Sequence, residues 1–376
     1  MILLKNCFLD EKIEDILICD KKIIKIGKIN VTSLKKIFNK ELQIYDINKN
    51  YTVAGIIDNH VHVLGGGGEN GFDSRIKELT IKDIVMSGVT TVVGVLGTDS
   101  ITKSVENLIS KTKELNCNGI TAYCLTGSFE YPSPTITGKL EKDLAFINEV
   151  IGVKIAISDH RCYNPTVDNL ITILSKARIA SLISGKLCTV NFHIGYGKEN
   201  MEQLLKIVES TNIPSFLIRP THISNSNIVF EQAITLAKKG CFIDLTANSQ
   251  HKKIADYIYK VYTEGLLNKL TLSSDAGGSI PIWKNNKCEG FKKHGMEDIL
   301  LIIKELVENF KIQYSKAFTI VNKNVGEALG IKYKGKIEEG YDADIIILDH
   351  EFKLKMLIAN GKVFVENYGY TGEENE

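Results

Sequence analysis

The chain has 376 residues, 44% of them hydrophobic, and its 46 basic and 45 acidic side chains leave a formal net charge of +1. So even a balance argues against nucleic acid or an anionic membrane surface as a partner, and no apolar stretch reaches the ~18 residues needed to span a bilayer. The N-terminal Met1-Ile2-Leu3-Leu4-Lys5-Asn6 lacks the basic start and long apolar core of a signal peptide. Eight cysteines without a CxxC pair fit reduced thiols and a cytoplasmic location.

Residues 1–54 are short β-like runs such as Lys22-Ile23-Ile24-Lys25-Ile26-Gly27, and residues 335–376 repeat that character. Neither end has enough strands to bury a core alone, so one small β-sandwich domain built from both ends is expected. Residues 370–376 form an acidic tail expected to fray. Between the ends, apolar strand-like runs alternate with helix-like segments, the pattern of a parallel sheet. Strands are expected at 55–62, 90–95, 121–125, 153–157, 188–193, 216–222, 241–245 and 270–274. Eight such strands predict an α/β fold, a (β/α)8 TIM-type barrel over 55–334, with its active site at the C-terminal strand ends.

His60-Val61-His62 closes the first of these strands. Side chains two residues apart on a strand share a face, so the two imidazoles form a ready pair of metal ligands. His193, His222 and Asp275 end three further predicted strands, and together they read as a metal-dependent hydrolase site. Four histidines and one aspartate exceed the needs of one tetrahedral ion, and Lys154, inside Ile151-Gly152-Val153-Lys154-Ile155, is the candidate bridge between two. A buried lysine with a lowered pKa can react as a neutral amine with CO2, and the carbamate offers one oxygen to each ion. His251 and His294 are expected in solvent, with His160 beside the site but not a ligand. Only Arg75, Arg161, Arg178 and Arg219 break the chain's use of lysine for positive charge, which marks positions that want a planar, two-pronged donor.

Gly55-Ile56-Ile57-Asp58-Asn59-His60-Val61-His62 and Gly340-Tyr341-Asp342-Ala343-Asp344-Ile345 resemble the first-strand and C-terminal signatures of the amidohydrolase superfamily. Within it, the chain is similar to the branch that cleaves β-aspartyl (isoaspartyl) dipeptides. The similarity rests on the stretch from His62 to Glu69, Val92-Val93-Gly94-Val95-Leu96-Gly97-Thr98-Asp99-Ser100, Thr135-Ile136-Thr137-Gly138, Ile157-Ser158-Asp159-His160-Arg161 and Leu272-Ser273-Ser274-Asp275. The resemblance implies a homo-oligomeric enzyme with two Zn²⁺ per subunit, one held by His60 and His62 and the other by His193 and His222. It also implies that carboxylated Lys154 bridges the ions, and that Asp275 is both ligand and proton shuttle. Glu69 is implied to hold a substrate ammonium, Arg161 a substrate carboxylate and Ser279 the other end of the dipeptide.

Two positions depart from that pattern. The tyrosine expected to polarise the scissile carbonyl falls at Phe129, with Tyr131 two residues on as a stand-in, and a second carboxylate-binding arginine falls at Asn225. The expected reaction is hydrolysis of the isopeptide bond of β-aspartyl dipeptides by a bridging hydroxide. The alternative is a related binuclear-metal amidase for N-acyl amino acids or cyclic amides.

Overall fold

The computed structural model describes residues 1–38, 42–284 and 287–372. The N-terminal end supplies β1 (Ile2–Leu9), β2 (Lys12–Cys19), β3 (Lys22–Gly27), β4 (Gln43–Asp46) and β5 (Tyr51–Ala54). Eight parallel strands follow: β6 (Ile56–Val61), β7 (Val89–Gly94), β8 (Thr121–Gly127), β9 (Val150–Ile157), β10 (Thr189–Ile194), β11 (Ile218–Thr221), β12 (Ile243–Thr246) and β13 (Leu270–Ser273). Each pairs with its neighbours in chain order. The first and last meet through Asp275 N–H donating to the His60 carbonyl at 3.1 Å, and His62 N–H to that of Ala276 at 2.8 Å. The expected (β/α)8 barrel is therefore present, and its seam runs through ligand candidates.

Strands of a parallel barrel are covered on both faces and read as continuous apolar runs. β9 is buried at every position, Lys154 included. It begins at Val150, three residues earlier than expected, because Gly152 looks like a strand breaker in sequence. In the barrel a Cβ there would lie 2.5 Å from the Thr189 carbonyl oxygen, so the bare backbone is what lets β9 and β10 close together. β11 starts later than expected, after a 3-10 turn at Ser215–Leu217 that follows Pro214. Helices 105–117 and 167–184 open on capping boxes at Ser104 and Thr166, which satisfy free N–H groups of their first turns. They pack Leu108, Leu115, Leu170 and Leu174 onto Val92, Val153 and Ile155 of the sheet. Each such fully buried side chain contributes about 1.5–3 kcal/mol.

A hairpin of β14 (Ser279–Lys284) and β15 (Lys287–Lys293) rises after β13, and β16 (Ile345–Leu348), β17 (Leu354–Ala359), β18 (Lys362–Glu366) and β19 (Gly369–Tyr370) close the fold. β16 pairs antiparallel with β5, so strands from both chain ends form one nine-stranded sheet. Ile16, Ile18 and Ile23 from one end share a core with Ile345, Met356 and Ile358 from the other, so the sheet curls over its own interior. Tyr370 pairs with Val365 where fraying was expected, because the turn at Asn367 and Tyr368 returns the chain to β18. Residues 373–376 of that tail lie outside the described residues.

Candidate active site

Five strands deliver the ligand candidates to one place, four of them at their C-terminal ends and β9 from its middle. His60 is fully buried, and its Nε2 lies 2.7 Å from Lys154 Nζ and 3.6 Å from Asp275 Oδ1. His62 Nε2 is 3.2 Å from that same oxygen. The His60 ring lies 5.8 Å from that of His62 and 5.2 Å from that of His222, and the His193 and His222 rings are 4.5 Å apart. His222 (φ 63°) and Asp275 (φ 57°) leave their strands in left-handed backbone conformations, as does Ser158 (φ 53°) after β9. Each costs a non-glycine residue roughly 1 kcal/mol or more, a strain typical of functional sites.

The electrostatics suit cations. Burial pushes His193 down to about 4 and His222 down to about 3, and it holds His60 well below the ordinary imidazole range. All three rings are neutral near pH 7, so each keeps one nitrogen lone pair. Burial raises the Asp275 carboxyl, but His62, His222 and His60 outweigh it and keep the group well below the usual range. Burial lowers Lys154 to about 7 against the opposing pull of Asp275 and Asp244, so much of it is a neutral amine. His60, His222 and Asp275 each offer an atom within 4.8 Å of the others, while His60 Nδ1 and Asp275 Oδ1 are buried without a well-formed hydrogen bond. The His60 and His222 imidazoles and the Asp275 carboxylate fit a shared divalent cation, and the His193 ring stands 4.5 Å from that of His222.

Outer partners hold the ligand candidates. Asp159 Oδ2 accepts from His193 Nε2 at 3.0 Å, and Thr246 Oγ1 lies 2.7 Å from His222 Nδ1. Asp159 also takes Arg161 in a fork, Nε to Oδ1 at 2.9 Å and Nη2 to Oδ2 at 2.8 Å. Burial opposes the Asp159 charge, yet those two partners hold its carboxyl far below the ordinary range. Beneath the ligands, Asp244 accepts from Asn59 at 3.0 Å, Thr221 at 2.7 Å, Thr271 at 2.5 Å and Ser273 at 2.6 Å, and buried Arg219 donates to Asn59.

A cavity of about 120 Å³ opens above this floor. His62, His193, His222, Asp275, Glu69, Arg161 and Ser279 line it, so seven predicted residues face one space while His60 and Lys154 lie beneath. Glu69 follows the glycine loop 65–68, where Gly67 has φ +81° and a Cβ would meet the Ser74 carbonyl oxygen at 2.4 Å. Arg161 Nη1 is 3.6 Å from Glu69 Oε1.

Phe129 also lines the cavity, with its ring 4.4 Å from that of His193. Tyr131 is not among the lining residues, and its hydroxyl accepts from Asn169 at 2.9 Å. Asn225 is likewise absent from the lining, its amide donating to the Ile194 carbonyl at 2.8 Å. His251 and His294 are not simply solvated: Asp298 lies 2.5 Å from His251 and 3.8 Å from His294. Thr98, Asp99 and Lys103 also line the cavity from the loop after β7; the first two belong to the stretch that carries the resemblance, without a role, and Lys103 lies beyond it. Their position just past a barrel strand was the available signal.

Fold and site together define a hydrolase of the metal-dependent barrel class. Residues 51–364 match the model of the amidohydrolase family, and the chain belongs to that family. It is similar to the β-aspartyl dipeptidase of Fervidobacterium islandicum AW-1 solved in complex with β-Asp-Leu, at 38% identity over the whole of both chains and a TM-score of 0.91. A second structure of that enzyme gives 37% identity, again over both whole chains, and 0.90. A 5'-deoxyadenosine deaminase of Methanocaldococcus jannaschii is 24% identical over 93% of this chain and 86% of that protein.

Proposed function

We propose that this hydrolase cleaves the isopeptide bond of β-aspartyl dipeptides. One observation carries the reading: Glu69 and Arg161 stand 3.6 Å apart in the wall of a cavity floored by the ligand cluster. In a β-linked dipeptide, the free α-ammonium and α-carboxylate of the aspartyl residue sit on one carbon. An adjacent anion and cation suit that head group. In the α-linked isomer the α-carboxyl is consumed in the peptide bond, and Arg161 loses its partner. The similarity to a β-aspartyl dipeptidase solved with β-Asp-Leu supports the same substrate class.

In this reading His60 and His62 hold one cation, His193 and His222 a second, and carboxylated Lys154 and Asp275 complete the set. Imidazole and carboxylate donors favour zinc. Bound there, the ions would acidify a water and polarise the scissile carbonyl. Glu69 takes the ammonium, Arg161 the α-carboxylate, and Ser279 the leaving residue. Asp275, anionic at working pH, accepts the water proton at Oδ2 and returns it to the leaving amine. Phe129 excludes water beside His193 but donates no hydrogen bond. Tyr131 takes the donor role only by giving up Asn169.

The two departures favour one second reading, an amidase for N-acyl amino acids or cyclic amides. Hydrolysis of β-Asp-Leu, α-Asp-Leu and N-acetyl-Leu by protein supplied with zinc and bicarbonate decides between them. Selective cleavage of β-Asp-Leu is expected. Turnover of N-acetyl-Leu without β-Asp-Leu replaces the reading with the second one.

Two broader proposals accompany it. Ile179, Leu182 and Ile183 are exposed on one face of helix 167–184, which supports a homo-oligomer and is checked by solution mass. Seven free cysteines among the described residues, five of them buried, support a cytoplasmic location, which fractionation checks.

A further inference from the structure

The cavity wall carries a second cation besides Arg161. Lys103 lines it from the loop after β7. Its Nζ donates to the Leu64 carbonyl at 3.0 Å and to that of Gly65, at the root of the glycine loop that presents Glu69. An ammonium has three N–H donors. Two are spent on neutral carbonyls, so one N–H stays uncommitted, on an ammonium whose charge Asp99, Glu78 and Glu69 feel only through space. The neighbouring carboxylate Asp99 is already engaged by Thr102, through both its backbone N–H at 2.8 Å and its hydroxyl. Ser104, the next residue, caps helix 105–117 and fixes the backbone that carries Lys103.

A β-aspartyl dipeptide has one ammonium and two carboxylates. Glu69 and Arg161, standing together, account for the ammonium and one carboxylate of the aspartyl head. The other carboxylate belongs to the leaving residue. Asn225 does not reach it, since its amide is committed to the Ile194 carbonyl outside the cavity lining.

Resting on the β-aspartyl reading, we infer that Lys103 binds the C-terminal carboxylate of the leaving residue through its third N–H. Lys103 would then be a specificity-determining residue that favours dipeptides over C-terminally blocked or extended substrates. Its two carbonyl bonds make it a pin for the glycine loop as well, so the test must separate the two roles.

The experiment compares β-Asp-Leu with β-Asp-leucinamide, which lacks only that carboxylate charge, on wild type, Lys103→Met and Lys103→Arg. Wild type is expected to prefer the acid by about 30-fold in kcat/KM, the size of a charge-assisted hydrogen bond, with most of the difference in KM. Lys103→Met should lower kcat/KM for the acid by about 30-fold more than for the amide, while Lys103→Arg keeps most of the preference. Equal losses on both substrates would make Lys103 a loop pin only and overturn the inference. So would a wild-type enzyme that cleaves acid and amide alike, a result that needs no variant to fold. Failure of wild type to cleave either substrate overturns the β-aspartyl reading itself, and this inference with it.

Discussion

His60, His62, Lys154, His193, His222 and Asp275 lie within or just past five strands of one eight-stranded barrel sheet, whereas Glu69, Lys103, Arg161 and Ser279 stand beyond strand ends, on loops and the start of a hairpin. The floor is tied by strand register and by the seam bonds at His60 and His62, so moving one ligand disturbs its neighbours. The wall is freer. Phe129 and Asn225 both lie past the ends of their strands, and at both the chain departs from the pattern it otherwise resembles. In the proposed function the floor sets the chemistry, and the wall sets what is brought to it.

The largest expected effect comes from breaking the floor. Lys154→Ala should lower turnover by more than the ~10–100-fold typical of losing an outer partner of a metal site. Elemental analysis should show fewer than two ions per chain, and circular dichroism an intact fold. Unchanged metal content would remove Lys154 from the ligand set.

Asp159 joins floor to wall, since it holds both His193 and Arg161. Asp159→Asn should therefore cost about 10–100-fold in kcat/KM, with KM for β-Asp-Leu rising and kcat falling together. A change confined to kcat would mean that Arg161 does not depend on it.

A gain is expected from the wall. Phe129→Tyr adds a hydroxyl beside His193 and should raise kcat about 10-fold, less than the loss seen when a preorganised oxyanion donor is removed. No gain would place the scissile carbonyl elsewhere.

The smallest effect is one of stability in metal-free protein. His193 (about 4) and His222 (about 3) have native pKa values below the ~6.5 of an unfolded histidine. Below pH ~6.5 the unfolded chain takes up protons that the native rings refuse, so stability falls as pH falls. Each ring should cost about 2 kcal/mol by pH 5. Thermal melts from pH 7 to 5 check the sign, and His222→Gln should flatten the slope.

The same division explains what was legible in the sequence. The His60–His62 pair, the lone His193 and His222, and Asp275 could be read because strand alternation and strand ends are local properties. Lys154 could be read because a charged residue inside a buried run demands a reason. The start of β9 was hidden because Gly152 serves a neighbour, Thr189, that only the folded sheet brings near. Lys103 was hidden because its partners, Leu64 and Gly65, lie 38 or more residues away across a loop crossing. The scarcity of arginine was informative at Arg161, which forks onto Asp159, but not at Arg219, which reaches Asn59 through Nη2 alone. Tyr131 shows the limit, because sequence offers a hydroxyl without saying that Asn169 already holds it.

The most direct test of the account is anomalous diffraction from crystals grown with zinc and bicarbonate. It predicts two zinc peaks, one beside His60 and His62 and one beside His193 and His222, with density for a carboxylated Lys154 between them. A single peak, or two peaks with an unmodified Lys154 amine, would contradict it.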